Sequence, residues 1–433
     1  MTRTPPARKI PVFKSYSNSY TSSMLRSLLI LFVFPLLFIL SACTGEKTPR
    51  NLAPDREENS QGQVPELDRY SEEASLIASS MDDALLAAQC LLTGIDTIPF
   101  FSDFMKSILQ EIPAGGIMLF RYNLTGSKDE ISLFLKDLSD FIGAASGILP
   151  FMAVDHEGGL VQRFGKELTW LPAPFSFWEM AQIDGEAVAL KAVEDLSRLS
   201  GEELWDLGID LNLAPVVEVL SPDNQAFLGS RSYGPDPGFT EKAASAFIRG
   251  MGTAGIACTI KHFPGNSAAD PHYGHSEINA DRPTLDTIIK PFYNIIQELH
   301  VPVLMVSHAV VTAIDAERNG SLSPALITGW LREELEFSGI VLADDFSMQA
   351  VAARGISAEE AAIQALNAGV DMIMCWPSNI ASIHEAILLA VQEDRLPRQR
   401  LLEAAERVIA EKLRSEELRF GLIPLRDSEE IIP

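Results

Sequence analysis

Gly255-Ile256-Ala257-Cys258-Thr259-Ile260-Lys261-His262-Phe263-Pro264-Gly265 is an apolar run that gives way to a cation, an imidazole and a Pro-Gly turn. Asn266 to Ala269 follow, and then Asp270-Pro271-His272. A strand whose last residues are titratable, running into a polar loop punctuated by Gly and Pro, is a common way for a sheet to hold chemistry at its edge. In a parallel sheet, other strands should end the same way.

They do. From about residue 75, short apolar runs alternate with longer amphipathic segments. The runs cover 88–93, 116–120, 151–154, 209–217, 256–260, 303–306, 340–343 and 370–375, and helical patterns such as 128–144, 186–207, 239–254, 358–367 and 382–392 lie between them. Strands alternating with helices predict a parallel sheet. Eight near-continuous hydrophobic strands predict an α/β fold of the (β/α)8 TIM-barrel type, one catalytic domain over 75–425 with a tail at 426–433. A doubly wound open sheet would show a Gly-rich phosphate loop after an early strand, and Glu157-Gly158-Gly159 is not that fingerprint. In a barrel, chemistry collects at the carboxyl ends of the strands. Asp155 follows the third run, Lys261 and His262 end the fifth, His308 ends the sixth and Asp344-Asp345 end the seventh, with Arg231 in the long loop after the fourth.

Each of these residues has a plainer alternative. Asp344 is placed to act as nucleophile or to stabilise positive charge, although one of two adjacent aspartates could simply cap the next helix. Asp270 and His272 have the spacing of a carboxylate orienting an imidazole for acid/base work, or of two solvated loop residues. Lys261, His262 and Arg231 offer donors to hydroxyls or a carboxylate, or join loops through ion pairs. Asp155 could accept two sugar hydroxyls, or pair with Arg163 and serve structure alone. His272, His275 and Asp270 invite a metal, but the spacing matches no zinc signature, so no metal and no cofactor are expected.

The beginning of the chain differs in kind. Of its 433 residues, the first 42 carry five basic residues, no acid, and the apolar run 28–40. That run is shorter than the ~20 residues a spanning helix needs and fits a signal peptide, whether the chain starts at Met1 or Met24. Leu40-Ser41-Ala42-Cys43 resembles the bacterial lipobox, so residues 1–42 are expected to be a lipoprotein signal peptide and Cys43 a lipidated terminus in the cell envelope. Residues 43–74 are polar and Pro-bearing, and are expected to form a flexible tether. Loss of residues 1–42 leaves 29 basic against 59 acidic residues, a net charge near −30. So acidic a surface opposes nucleic-acid binding and adsorption to anionic membranes, and attachment would rest on the lipid. Cys90, Cys258 and Cys375 sit in apolar runs and imply core residues rather than a disulfide framework.

The site residues also carry a resemblance. Ala153-Val154-Asp155-His156-Glu157-Gly158-Gly159-Leu160-Val161-Gln162-Arg163, Asn212 to Val216, Ser230-Arg231-Ser232-Tyr233-Gly234, Lys261 to Gly265 and Asp344 to Met348 resemble, in order, the motifs of glycoside hydrolase family 3, specifically its single-barrel β-N-acetylhexosaminidases. The likeness runs from about residue 80 to 422. It implies a retaining exo-β-N-acetylglucosaminidase in which Asp344 is the nucleophile, His272 assisted by Asp270 is the acid/base, and Asp155, Arg163, Arg231, Lys261 and His262 hold the sugar. The implied substrates are chito-oligosaccharides or muropeptides, and a monomer is expected. Departures from the family pattern are Asn266-Ser267 where His-Gly is usual, a shorter loop from Gly265 to the dyad, Ala343 where Ser or Thr is usual, and Glu218 where Asp is usual. Phosphorolysis at the same site, a non-catalytic wall-binding lipoprotein and a metal-dependent hydrolase are the competing functions. Because Asp344 and His272 are both present, the non-catalytic reading lacks its expected mark.

Overall fold

A computed structural model describes residues 66–96, 102–165, 167–267, 274, 276–346, 351 and 354–427. Residues 1–65, with the apolar run and Cys43, lie outside the described residues, as do Asp270, His272 and His275.

All eight runs become strands. In chain order β1 (Leu91–Thr93), β2 (Gly116–Leu119), β3 (Phe151–Val154), β4 (Leu211–Asn212), β5 (Ala257–Phe263), β7 (Val303–Val306), β9 (Ile340–Ala343) and β10 (Met372–Cys375) close a parallel barrel, ordered β1-β10-β9-β7-β5-β4-β3-β2. The other two, β6 (Glu277–Ile278) and β8 (Val310–Val311), pair with each other outside it. The fourth run is a strand only at Leu211–Asn212, and the first loses its start to the helix Asp83–Gln89.

The runs read as continuous apolar stretches because both faces of each strand are covered. Side chains alternate nonetheless. Leu92, Met118, Phe151, Ala153, Leu211, Val303, Met305, Ile340, Leu342, Met372 and Met374 fill the barrel. Their neighbours Leu91, Ile117, Met152, Val154, Ile260, Leu304, Val341 and Ile373 face the helices. Those helices carry their own stop and start signals. Ser127 and Glu130 form a capping box at the start of Lys128–Ser146, and Gly147 closes it in the left-handed region at φ 80°.

Two boundaries differ from expectation. The tether expected over 43–74 is cut short by the helix Glu66–Ser80, where Tyr70 and Ala74 are buried and Ser75 donates to Glu406 at 2.9 Å. Burial of its apolar face overrides a polar composition. The tail expected from 426 is likewise shortened by the last helix, Arg398–Asp427. Val408 of that helix joins the barrel-interior cluster, so the helix seals the amino-terminal foot of the barrel. At that foot Asp371 receives Arg332, Arg400 and Arg407, and Lys412 donates to Gln89 at 2.7 Å.

Candidate active site

The alternation that fills the barrel also builds the site. Continuing it one step past the last interior layer brings Phe120 above Met118, Asp155 above Ala153, Lys261 above Thr259, Asp344 above Leu342 and Trp376 above Met374. These five side chains line one cleft of about 320 Å³ at the carboxyl ends of the strands, and Met118, Met305 and Met374 form its floor. Arg163, Arg231 and His262 also line it, so every substrate-binding residue expected from the sequence is in the cleft with Asp344.

Five charges form a continuous network. Lys261 is buried, and its Nζ lies 2.8 Å from Asp155 Oδ1 and 2.7 Å from Glu157 Oε1. Arg163 donates to Asp155 Oδ2 at 2.6 Å, and Arg231 makes a two-pronged contact with Glu157 at 2.8 and 2.9 Å. Burial opposes ionisation of Asp155, but Lys261 and Arg163 overcome it and hold its carboxyl well below the usual range. Burial likewise works against Glu157, and Lys261 and Arg231 bring it down to about 2. For Lys261 burial disfavours the charge, while Asp155 and Glu157 raise its pKa above the ordinary value. The structural and binding readings of Asp155 therefore coexist: it pairs with Arg163 and lines the cleft.

Glu157 is the main residue that sequence reasoning missed. Its signal was charge balance, since Arg163, Arg231 and Lys261 converge on a site with one expected pairing carboxylate, and buried cations need partners. Its position depends on Gly158, which has φ 101° and whose missing Cβ would lie 2.3 Å from the Pro172 carbonyl oxygen. His156, between the two acids, packs edge-on to Phe164 at 5.7 Å, and burial with nearby Arg163 lowers its pKa to about 4, so it stays neutral.

Asp344 is treated differently. It is 9% exposed and accepts the Asp345 backbone N–H at 2.9 Å through Oδ1. Among the described residues no cation lies within ion-pair distance of it. Asp345 accepts the Trp376 indole N–H at 2.7 Å. Behind this turn His308 is buried, and its Nε2–H donates to the Asp345 carbonyl at 3.0 Å while Nδ1 lies 2.7 Å from the Ser321 hydroxyl. His308 thus supports the turn and is not part of the cleft lining.

Two departures from the family pattern meet. His262 Nδ1 lies 2.6 Å from Glu218 Oε1, and Glu218 Oε2 accepts the Asn266 backbone N–H at 2.6 Å, with the Asn266 amide 3.2 Å from Oε1. One carboxylate thereby fixes the His262 ring and the start of the loop after β5. The Ser307 hydroxyl donates to the Gly265 carbonyl at 2.8 Å, and Ser267 meets Ser276 at 3.2 Å between hydroxyls. Ser267 and Ser276, the described residues on either side of 268–275, are thus in contact.

Comparison with known proteins agrees with the barrel fold. Residues 90–410 match the model of the glycosyl hydrolase family 3 N-terminal domain. A beta-hexosaminidase of Idiomarina loihiensis is 34% identical over 316 residues, covering 71% of this chain and 91% of the relative. A beta-hexosaminidase of Methylococcus capsulatus is 36% identical over 299 residues, 67% of this chain and 84% of the relative. Among solved structures, a family 3 β-N-acetylglucosaminidase of Paenibacillus superposes with a TM-score of 0.73 at 26% identity, covering 78% of this chain and 63% of that one. A β-N-acetylhexosaminidase of Beutenbergia cavernae gives a TM-score of 0.68 at 25% identity, with 77% of this chain and 99% of that one covered.

Proposed function

The chain belongs to glycosyl hydrolase family 3 and is a glycoside hydrolase, and from that premise we propose that it is a retaining exo-β-N-acetylglucosaminidase. The observation that carries the reading is the contrast within the cleft: Asp155 and Glu157 are neutralised by three cations, whereas Asp344 has none among the described residues. A carboxylate left uncompensated can attack a carbon that is gaining positive charge.

In this reading Asp155, Arg163, Arg231, Lys261 and His262 hold the hydroxyls of a terminal N-acetylglucosamine. An oxygen of Asp344 bonds to the anomeric carbon as the glycosidic C–O bond breaks. His272, oriented by Asp270, gives its proton to the departing oxygen. Water then attacks the glycosyl ester, His272 takes its proton, and the Asp344 carboxylate leaves. Ser267 and Ser276 meet at their hydroxyls, and Asn266 is bound to the carboxylate that holds His262, so the described residues flanking Asp270 and His272 lie together next to the Glu218–His262 pair. The beta-hexosaminidase relatives support the sugar, and chito-oligosaccharides or muropeptides are the proposed substrates.

Replacing Asp344 with Ala should cut nitrophenol release from nitrophenyl N-acetyl-β-glucosaminide by at least about a thousandfold, with the thermal transition retained. Near wild-type turnover in that variant would sink the assignment. We place the mature protein in the cell envelope, attached through a lipidated Cys43.

A further inference from the structure

The cleft mouth is divided into two arcs of opposite character. From β3 round to β9 the strand ends carry Asp155, Lys261 and Asp344. On the neighbouring strands β10, β1 and β2, the same step of the alternation carries Trp376, Gly94 and Phe120. The Phe120 and Trp376 rings stack with centroids 4.9 Å apart and planes 16° apart. Gly94 lies beneath them: a Cβ there would sit 3.4 Å from the Phe120 ring and 3.7 Å from the Trp376 ring, so the strand between the two leaves them space. Trp376 is held by its bond to Asp345, the residue after Asp344. Both rings are half-buried and line the cleft rather than the core.

A large aromatic pair, fixed in place and half-buried beside Asp344, calls for a flat apolar ligand. We propose that Trp376, backed by Phe120, is the binding surface for the leaving-group sugar of the substrate, a second β-linked pyranose. This rests on the N-acetylglucosaminidase reading. The ionic arc offers donors and acceptors that suit the hydroxyls of the terminal sugar, and a glycosidic bond has a second side that must also be held. A β-linked pyranose carries its hydroxyls around the rim and presents axial C–H groups on its face. That face packs on an indole, and its rim stays in water. Trp376 flanks the bond to be cut because its anchor adjoins Asp344. The ring surface therefore selects a cyclic sugar aglycone over a small leaving group.

The test compares kcat/KM on chitobiose with kcat/KM on N-acetyl-β-glucosaminyl fluoride, whose leaving group is a single atom. In Trp376→Ala the ratio of the two should fall about tenfold, the scale of one aromatic stacking contact. Trp376→Phe keeps a ring and guards against loss of fold, and its ratio should lie between the two. A ratio unchanged in both variants overturns the proposal, whether the two rates fall together or not at all. A wild-type protein that turns over neither compound would overturn the underlying N-acetylglucosaminidase reading instead.

Discussion

At the level of single residues, the site is organised around two acids paired with cations and one, Asp344, that has no cation beside it among the described residues. Glu157 is ionised far below its ordinary range, so its stabilising charge is complete above about pH 4.5 and is lost as pH falls toward about 2. Asp155 moves in the same direction, so acid destabilises the fold through this network. Glu157→Gln should lower stability at pH 7 by roughly 3–5 kcal/mol, because Lys261 and Arg231 lose their shared anion. It should also flatten the fall of the melting temperature between about pH 5 and pH 2, and melting curves parallel to wild type across that window would refute the account. The sequence already displayed Asp155, Lys261, His262 and Asp344, since a charged residue following an apolar run is conspicuous, while Arg163 and Arg231 stood out through the motifs that contain them. Glu157 was hidden because it stands two residues beyond Asp155 in a turn, where no periodicity points to it. Phe120 and Trp376 were hidden because an aromatic residue at a strand end extends the apolar run and reads as core. Glu218 and Asn266 each looked like a departure, and only their shared hydrogen bonds show that one accommodates the other.

Among the elements, the barrel was legible because period-two burial on both faces leaves unbroken apolar runs. Boundaries were less so. Residues 209–217 read as one strand, but only Leu211–Asn212 completes the ladder pattern, and Leu213 to Val217 are buried in extended loop. Helix contacts depend on space that composition does not reveal. Gly250, in the helix Pro237–Thr253, faces Glu186–Leu207, and a Cβ there would lie 2.4 Å from the Glu194 carbonyl oxygen. Gly252, two residues on, meets nothing within 4 Å. Gly250→Ala should therefore cost about 1–3 kcal/mol, and Gly252→Ala should stabilise by up to about 1 kcal/mol. Thermal denaturation of the pair checks this, and equal shifts would show that helix propensity rather than packing governs both.

Across the whole molecule, the two ends of the described chain meet. The first helix, Glu66–Ser80, packs on the last, with the Arg414 guanidinium 4.6 Å from the Tyr70 ring centroid. Composition marked residues 66–74 as tether because their polar face dominates, and their burial becomes visible only once the terminal helix supplies a partner. If Cys43 is lipidated, Cys43→Ala should move the protein from the membrane to the soluble fraction on cell fractionation, with turnover of a soluble glycoside unchanged. Membrane retention of the variant would point to an uncleaved apolar segment as the anchor.

The foot sealed by the last helix is the end of the barrel opposite the cleft. Val408 closes that foot from below while the cleft opens at the carboxyl ends of the strands, so the barrel is a blind-ended core and not a channel. Substrate enters and both products leave through one mouth.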